Sequence, residues 1–226
     1  MKHVHVYMAG DSTMADYTKN SFPQMGWGQK LYDYFQPTVI IHNHAVNGRS
    51  TKSFLDEKRW KVMEEQFQPG GYVIIQFGHN DQKEDKERAT DPFTTYQGNL
   101  RYFIQRARLF DVTPILATSI ARRQFDVDSN LEDTHKDYPK AMRELAQEEN
   151  IILIDMLKLT EQALKQLGPE KSKHWFMWAK PNEYDAFPNG ATDNTHLNEE
   201  GARMVAGLFV DELKELEHPL ADFLKK

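Results

Sequence analysis

Val4-His5-Val6-Tyr7-Met8-Ala9-Gly10-Asp11-Ser12-Thr13 is a short apolar, β-rich run that ends abruptly in a small-polar turn. Four further runs of the same kind follow, at Val39 to His44, Tyr72 to Phe77, Pro114 to Thr118 and Ile151 to Asp155. Longer amphipathic segments separate them, and that alternation is the pattern of a parallel sheet with covering helices. Tyr96, Leu100, Phe103, Ile104 and Ala107 form one helical stripe, with Arg101, Gln105 and Arg108 opposite. Ala202, Val205, Ala206, Phe209, Val210 and Leu213 form a second, and Asn198 stands where an N-cap would. The expected fold class is α/β: one domain over residues 1–226, a flavodoxin-like three-layer sandwich with a five-stranded parallel sheet and helices on both faces. Two stretches fit neither period, Gln82 to Pro92 and the aromatic-rich Lys171 to Asn194, and both are expected to be long loops on the ligand side of the sheet.

Composition narrows the class of function. The 226 residues are 39% hydrophobic and 27% charged, the profile of a globular chain with a full core. Thirty-four acidic against 28 basic residues leave a net charge of −6, which argues against a nucleic-acid or anionic-membrane surface and for a small-molecule partner. There is no cysteine, so any nucleophile is an oxygen or a nitrogen and thiolate metal sites are excluded. No apolar run approaches the ~20 residues needed to cross a bilayer. The start Met1-Lys2-His3-Val4-His5 is unlike a signal peptide, so a cytoplasmic location is expected.

The chemistry-bearing residues collect at the ends of the expected strands. Ser12 follows the first strand in Gly10-Asp11-Ser12-Thr13, where a strand-to-helix turn presents a hydroxyl at the sheet edge as an acyl-transfer nucleophile requires. A simple turn capped by Asp11 or Ser12 is the competing interpretation. Gly48, in Asn47-Gly48-Arg49-Ser50 after the second strand, can bring a backbone N–H close to a ligand. Asn80, in Gly78-His79-Asn80-Asp81 after the third, can aim its amide at a developing oxyanion, a type of donor that contributes ~3 kcal/mol to transition-state stabilisation. Both also suit ordinary turns. Asp193-Asn194-Thr195-His196 spaces a carboxylate and an imidazole to share one face of a turn, so that Asp193 can orient His196 as a base. Capping or solvated residues would give the same spacing. His3 with His5 and His42 with His44 have a spacing that some metals accept, but no third ligand is evident and no metal or cofactor is expected.

Taken together, Gly10-Asp11-Ser12, Gly48, Gly78-His79-Asn80-Asp81 and Asp193-x-x-His196 resemble, in order and position, the four signature blocks of the SGNH hydrolases, or GDSL esterase superfamily. Thr13, Gly26-Trp27-Gly28-Gln29, Asn47-Gly48-Arg49-Ser50-Thr51 and Asp193-Asn194-Thr195-His196-Leu197-Asn198-x-x-Gly201-Ala202 are similar, more narrowly, to rhamnogalacturonan acetylesterases of carbohydrate esterase family twelve. The resemblance implies the SGNH hydrolase fold, Ser12 as nucleophile, His196 as base and Asp193 as its orienter. It also implies an oxyanion hole of the Ser12 and Gly48 N–H groups and the Asn80 side chain.

The expected activity is a serine esterase removing O-acetyl groups from plant cell-wall oligosaccharides, foremost rhamnogalacturonan fragments, acting as a monomer or homodimer. Trp175 and Trp178 are candidates to stack on sugar faces, and Arg122 and Arg49 to pair with galacturonate carboxylates. The alternatives are an acetylated-xylan esterase, a carbohydrate-binding relic without turnover, and a lipid-directed esterase with an apolar acyl channel.

Overall fold

A computed structural model describes residues 3–225. Its centre is a five-stranded parallel sheet of β1 (Val4–Gly10), β2 (Val39–Asn43), β3 (Gly71–Gln76), β4 (Val112–Ala117) and β5 (Leu153–Ile154), in the order β2-β1-β3-β4-β5. Val4 pairs with Val39 on one side of β1, and Val6 with Tyr72 on the other. The chain begins in the middle of the sheet and reverses direction of travel across it, so the carboxyl ends of β1, β2 and β3 lie side by side. That is where ligands bind in open parallel sheets.

The two-residue period of each strand divides the core into two. Val6, Met8, Ile74 and Ile115 face α1 (Trp27–Leu31), α6 (Met156–Lys171) and α7 (Glu199–Glu215), whose Trp27, Leu164, Val205, Phe209 and Leu213 complete one apolar layer. Tyr7, Ala9, Val73, Ile75 and Leu116 face α2 (Thr51–Asp56), α3 (Arg59–Glu64), α4 (Gln97–Leu109) and α5 (Tyr138–Glu148), which contribute Phe54, Trp60, Phe103 and Leu145. Every residue of the two stripes anticipated on α4 and α7 is buried, including Tyr96 just ahead of α4. Side chains as large as Phe103 or Phe209 each contribute about 1.5–3 kcal/mol by leaving water. Asn198 caps α7 by accepting from the Gly201 N–H at 3.0 Å.

Three expectations need correction. The last strand is only Leu153–Ile154 rather than Ile151 to Asp155, because Asp155 instead caps α6 by accepting from the Lys158 N–H. Lys171 to Asn194 is not one irregular loop. It closes α6, passes through a short 3-10 turn and forms β6 (Phe176–Ala179), which pairs antiparallel with β7 (Ala191–Leu197) outside the main sheet. Nor does a helix follow Ser12 directly. Met14 and Ala15 both donate to the Asp11 carbonyl, giving a single turn; a short 3-10 turn at Lys19–Ser21 follows, and the first α-helix starts at Trp27. Gln82 to Pro92, by contrast, carries no helix or strand up to Asp91. His5 and His42 stack on adjacent strands, their Nδ1 and Nε2 atoms 2.9 Å apart. Among the described residues no helix is long and apolar enough to cross a membrane.

Candidate active site

The turn after β1 is tied down by a buried relay of polar side chains. Trp27 Nε1 donates to Gln76 Oε1 at 2.6 Å, Gln76 Nε2 donates to Thr13 Oγ1 at 2.7 Å, and Thr13 Oγ1 donates to Asp11 Oδ1 at 2.9 Å. Asp11 Oδ1 also accepts from the Thr13 N–H, while Tyr17 Oη donates to the Ser12 carbonyl. Gln29 clasps the Tyr17 backbone from both sides, accepting from its N–H and donating to its carbonyl. Ser12 is therefore held on a fixed turn, nine-tenths buried, at the carboxyl edge of the sheet.

Ser12 Oγ lies 3.0 Å from His196 Nε2, and His196 Nδ1 lies 2.7 Å from Asp193 Oδ2. Asp193 and His196 both stand on β7, but their spacing works through a side-chain turn rather than through a helix. Asp193 Oδ1 accepts the backbone N–H groups of Thr195 and His196 at 2.7 and 3.0 Å, which leaves Oδ2 for the imidazole. Burial raises the Asp193 pKa, but these bonds from His196 and the two N–H groups outweigh it, and the carboxyl stays below its usual range. It is thus ionised at neutral pH. With the ring proton on Nδ1, Nε2 is free to accept the proton of Ser12.

Gly48 and Asn80 follow β2 and β3, the two strands that neighbour β1. Gly48 has φ +75°, a left-handed conformation that favours glycine. Asn80 Nδ2 donates to the carbonyl of the neighbouring Arg49 at 3.1 Å, and its Oδ1 accepts from Arg88 Nη1 at 3.3 Å. The Arg88 contact fixes which end of the carboxamide is which, so the amide protons face the Gly48 loop. Asp81 couples the same two loops: it accepts from the Thr51 N–H and hydroxyl, at 3.0 and 2.5 Å, and from the Thr90 hydroxyl. Burial pushes the Asp81 carboxyl up to about 7, against the pull of the Thr51 bonds. The sequence offers Asp81 as the end of Gly78-His79-Asn80-Asp81 and Arg88 as a cation within the polar run Gln82 to Pro92, but it assigns neither of them the contact to Thr51 or to Asn80 seen here.

Burial raises Asp11 to about 6, opposed by its bonds to Thr13, and among the described residues its Oδ2 has no partner. His79 and His135 are buried together, with Nδ1 and Nε2 3.2 Å apart. Burial, each other's proximity and Arg122 push His79 far below its ordinary value, while burial and Arg122 push His135 to about 3. Both imidazoles are neutral at physiological pH.

The four residues expected to meet substrate fall in different settings. Trp175 is 7% exposed and packed in the core with Phe176 and Leu197, so its ring has no free face to offer a sugar. Trp178 is half-buried, but Arg123 and Lys173 both lie over its ring and its N–H is committed to Asn194 Oδ1. Arg49 is spent on Glu57 and the Asn47 carbonyl. Among the described residues Arg122 is held by the carbonyls of Thr134 and His79 at 2.8 and 3.4 Å, and its charge acts on Asp11, the neighbour of Ser12 in the chain.

The family model of GDSL-like lipases and acylhydrolases matches residues 8–204 of the chain. The chain is 42% identical over 223 residues to the rhamnogalacturonan acetylesterase RhgT of Bacillus subtilis, covering 99% of this chain and 95% of that protein. Its fold superposes on a crystal structure of the B. subtilis protein YxiM with a TM-score of 0.81 at 27% identity, over 96% of this chain and 58% of that one. An acetylxylan esterase from Geobacillus stearothermophilus, Axe2, gives a TM-score of 0.66 over 94% of this chain and 96% of that chain. At 18% identity that likeness is one of fold alone.

Proposed function

Since the chain belongs to the GDSL-like lipase/acylhydrolase family, and is therefore an ester hydrolase, we propose that it removes O-acetyl groups from carbohydrate, specifically from rhamnogalacturonan fragments. The observation that carries the chemistry is the unbroken line from Ser12 Oγ through His196 to Asp193. Ser12 attacks the acetyl carbonyl while His196 Nε2 takes its proton, and Asp193 balances the imidazolium. The N–H groups of Ser12 and Gly48, with the second amide proton of Asn80, receive the oxyanion of the tetrahedral intermediate. As the intermediate collapses and its C–O bond to the sugar breaks, His196 gives the proton to the departing sugar oxygen, leaving a free sugar hydroxyl and acetyl-Ser12. Water, deprotonated by the same imidazole, releases acetate and restores the serine.

Two observations support a pectic substrate. One is the 42% identity to a relative named for that activity. The other is Arg122, whose guanidinium is held by carbonyls and so keeps its charge available to a galacturonate carboxylate. Turnover of p-nitrophenyl acetate by wild-type and Ser12→Ala protein tests the chemistry. The variant is expected to lose hydrolysis to the level of buffer; a wild-type rate in Ser12→Ala would remove the serine from the reaction.

A further inference from the structure

Asp193 and His196 ride on β7, which belongs to a two-stranded hairpin and shares no ladder with the sheet that carries Ser12. Their distance to the serine must therefore be fixed by contacts other than strand pairing. The Met25 N–H supplies one, donating to the Leu197 carbonyl at 3.0 Å, and a single buried side chain supplies several more. Arg123, just beyond β4, is 7% exposed, and its backbone N–H donates to the Asn194 carbonyl at 2.8 Å. Its Nη1 donates to Asn194 Oδ1 at 2.6 Å, its Nε to Ser172 Oγ at 3.1 Å, and its Nη2 to the Pro169 carbonyl. Trp178 Nε1 donates to the same Asn194 Oδ1 at 2.9 Å, and the guanidinium lies 4.9 Å from the Trp178 ring centre. Asn194 is the residue between Asp193 and the Thr195 N–H that Asp193 binds.

We propose that Arg123, acting through Asn194, is a positioning residue that sets the Asp193–His196 turn at working distance from Ser12. The guanidinium suits this because its planar fork reaches three acceptors in fixed directions: the β7 turn, the end of α6 and the short turn after it. An ammonium cannot meet all three. Trp178 belongs to the same device, which explains why an aromatic residue anticipated as a sugar platform has both its ring and its N–H occupied.

The proposal rests on the esterase reading, and its test separates the two. Arg123→Ala and Asn194→Ala are compared with wild type for p-nitrophenyl acetate hydrolysis, for thermal unfolding, and for the proton resonance of His196 Nδ1, which reports the bond to Asp193 without requiring turnover. Displacement by about 1 Å costs on the order of 10²-fold in rate. Folded Arg123→Ala is therefore expected to lose roughly 10- to 100-fold in kcat with KM within about twofold. Its Nδ1 resonance should broaden or shift, and millimolar guanidinium chloride should restore part of the rate. A folded Arg123→Ala with wild-type kcat and an unmoved resonance would overturn the proposal, as would a raised KM at unchanged kcat. If Arg123→Ala does not fold, Asn194→Ala decides by the same readouts. Absence of hydrolysis in the wild type would instead sink the esterase reading, while the resonance would still test the pin.

Discussion

Asp81 shows how a single buried carboxyl links stability to the site. In the folded chain it is raised to about 7 because burial disfavours its charge, whereas in the unfolded chain it sits near its ordinary 3.8. Between those values the folded state holds more protons than the unfolded one, so this group's contribution is complete at the acid end and is lost as pH rises toward 7. Asp81→Asn removes the titration. Urea unfolding of both proteins across that window should show the variant gaining on wild type as pH increases; a constant difference would mean that Asp81 is ionised in the folded state throughout. The sequence showed Asp81 only as the last letter of Gly78-His79-Asn80-Asp81. What it could not show is that Thr51 and Thr90, far apart along the chain, converge on one carboxylate. The same holds for Arg122 and Arg123, adjacent in sequence: one is held by the carbonyls of Thr134 and His79, the other is buried with its guanidinium on Asn194.

Among the elements, those with a clean period were legible and those without one were not. The α4 and α7 stripes place every third or fourth residue in a core, and β1 alternates between two apolar layers, so pattern and packing agree. β6 escaped because Phe176 and Met177 are consecutive buried residues and the register shifts between Phe176 and Trp178, which erases the alternation a strand is recognised by. Its junction with α7 is the tightest point of the site's support. A Cβ on Gly201 would overlap the Trp175 carbonyl, which also accepts the Asn198 N–H at 3.1 Å. Gly201→Ala must therefore push α7 away from the hairpin that carries His196. Overpacking of this kind costs about 1–3 kcal/mol, so thermal unfolding of the variant should occur several degrees below wild type. An unchanged midpoint would show that the junction yields at no cost.

Across the whole molecule, the sheet gathers three loops at the carboxyl ends of β1, β2 and β3, and the β6–β7 hairpin lays a fourth against them. Ser12, Gly48 and Asn80 come from the first three, Asp193 and His196 from the last. This division explains how motifs spread over nearly 190 residues can serve the one proposed site, and why the sequence could place the first set at strand ends while the second needed the hairpin. The proposed substrate preference draws on the arginines. Of the two arginines offered for substrate, Arg49 is neutralised by Glu57, whereas Arg122 is turned to the carbonyls of Thr134 and His79. That arrangement is the basis on which an anionic sugar chain is proposed over a neutral one. The most direct measurement is acetate release by the purified wild-type protein from acetylated rhamnogalacturonan oligosaccharides, run beside acetylated xylo-oligosaccharides at equal acetyl content. Acetate should appear from the pectic substrate at the higher rate. Release from the xylan fragments alone, or from neither, would contradict the proposed function.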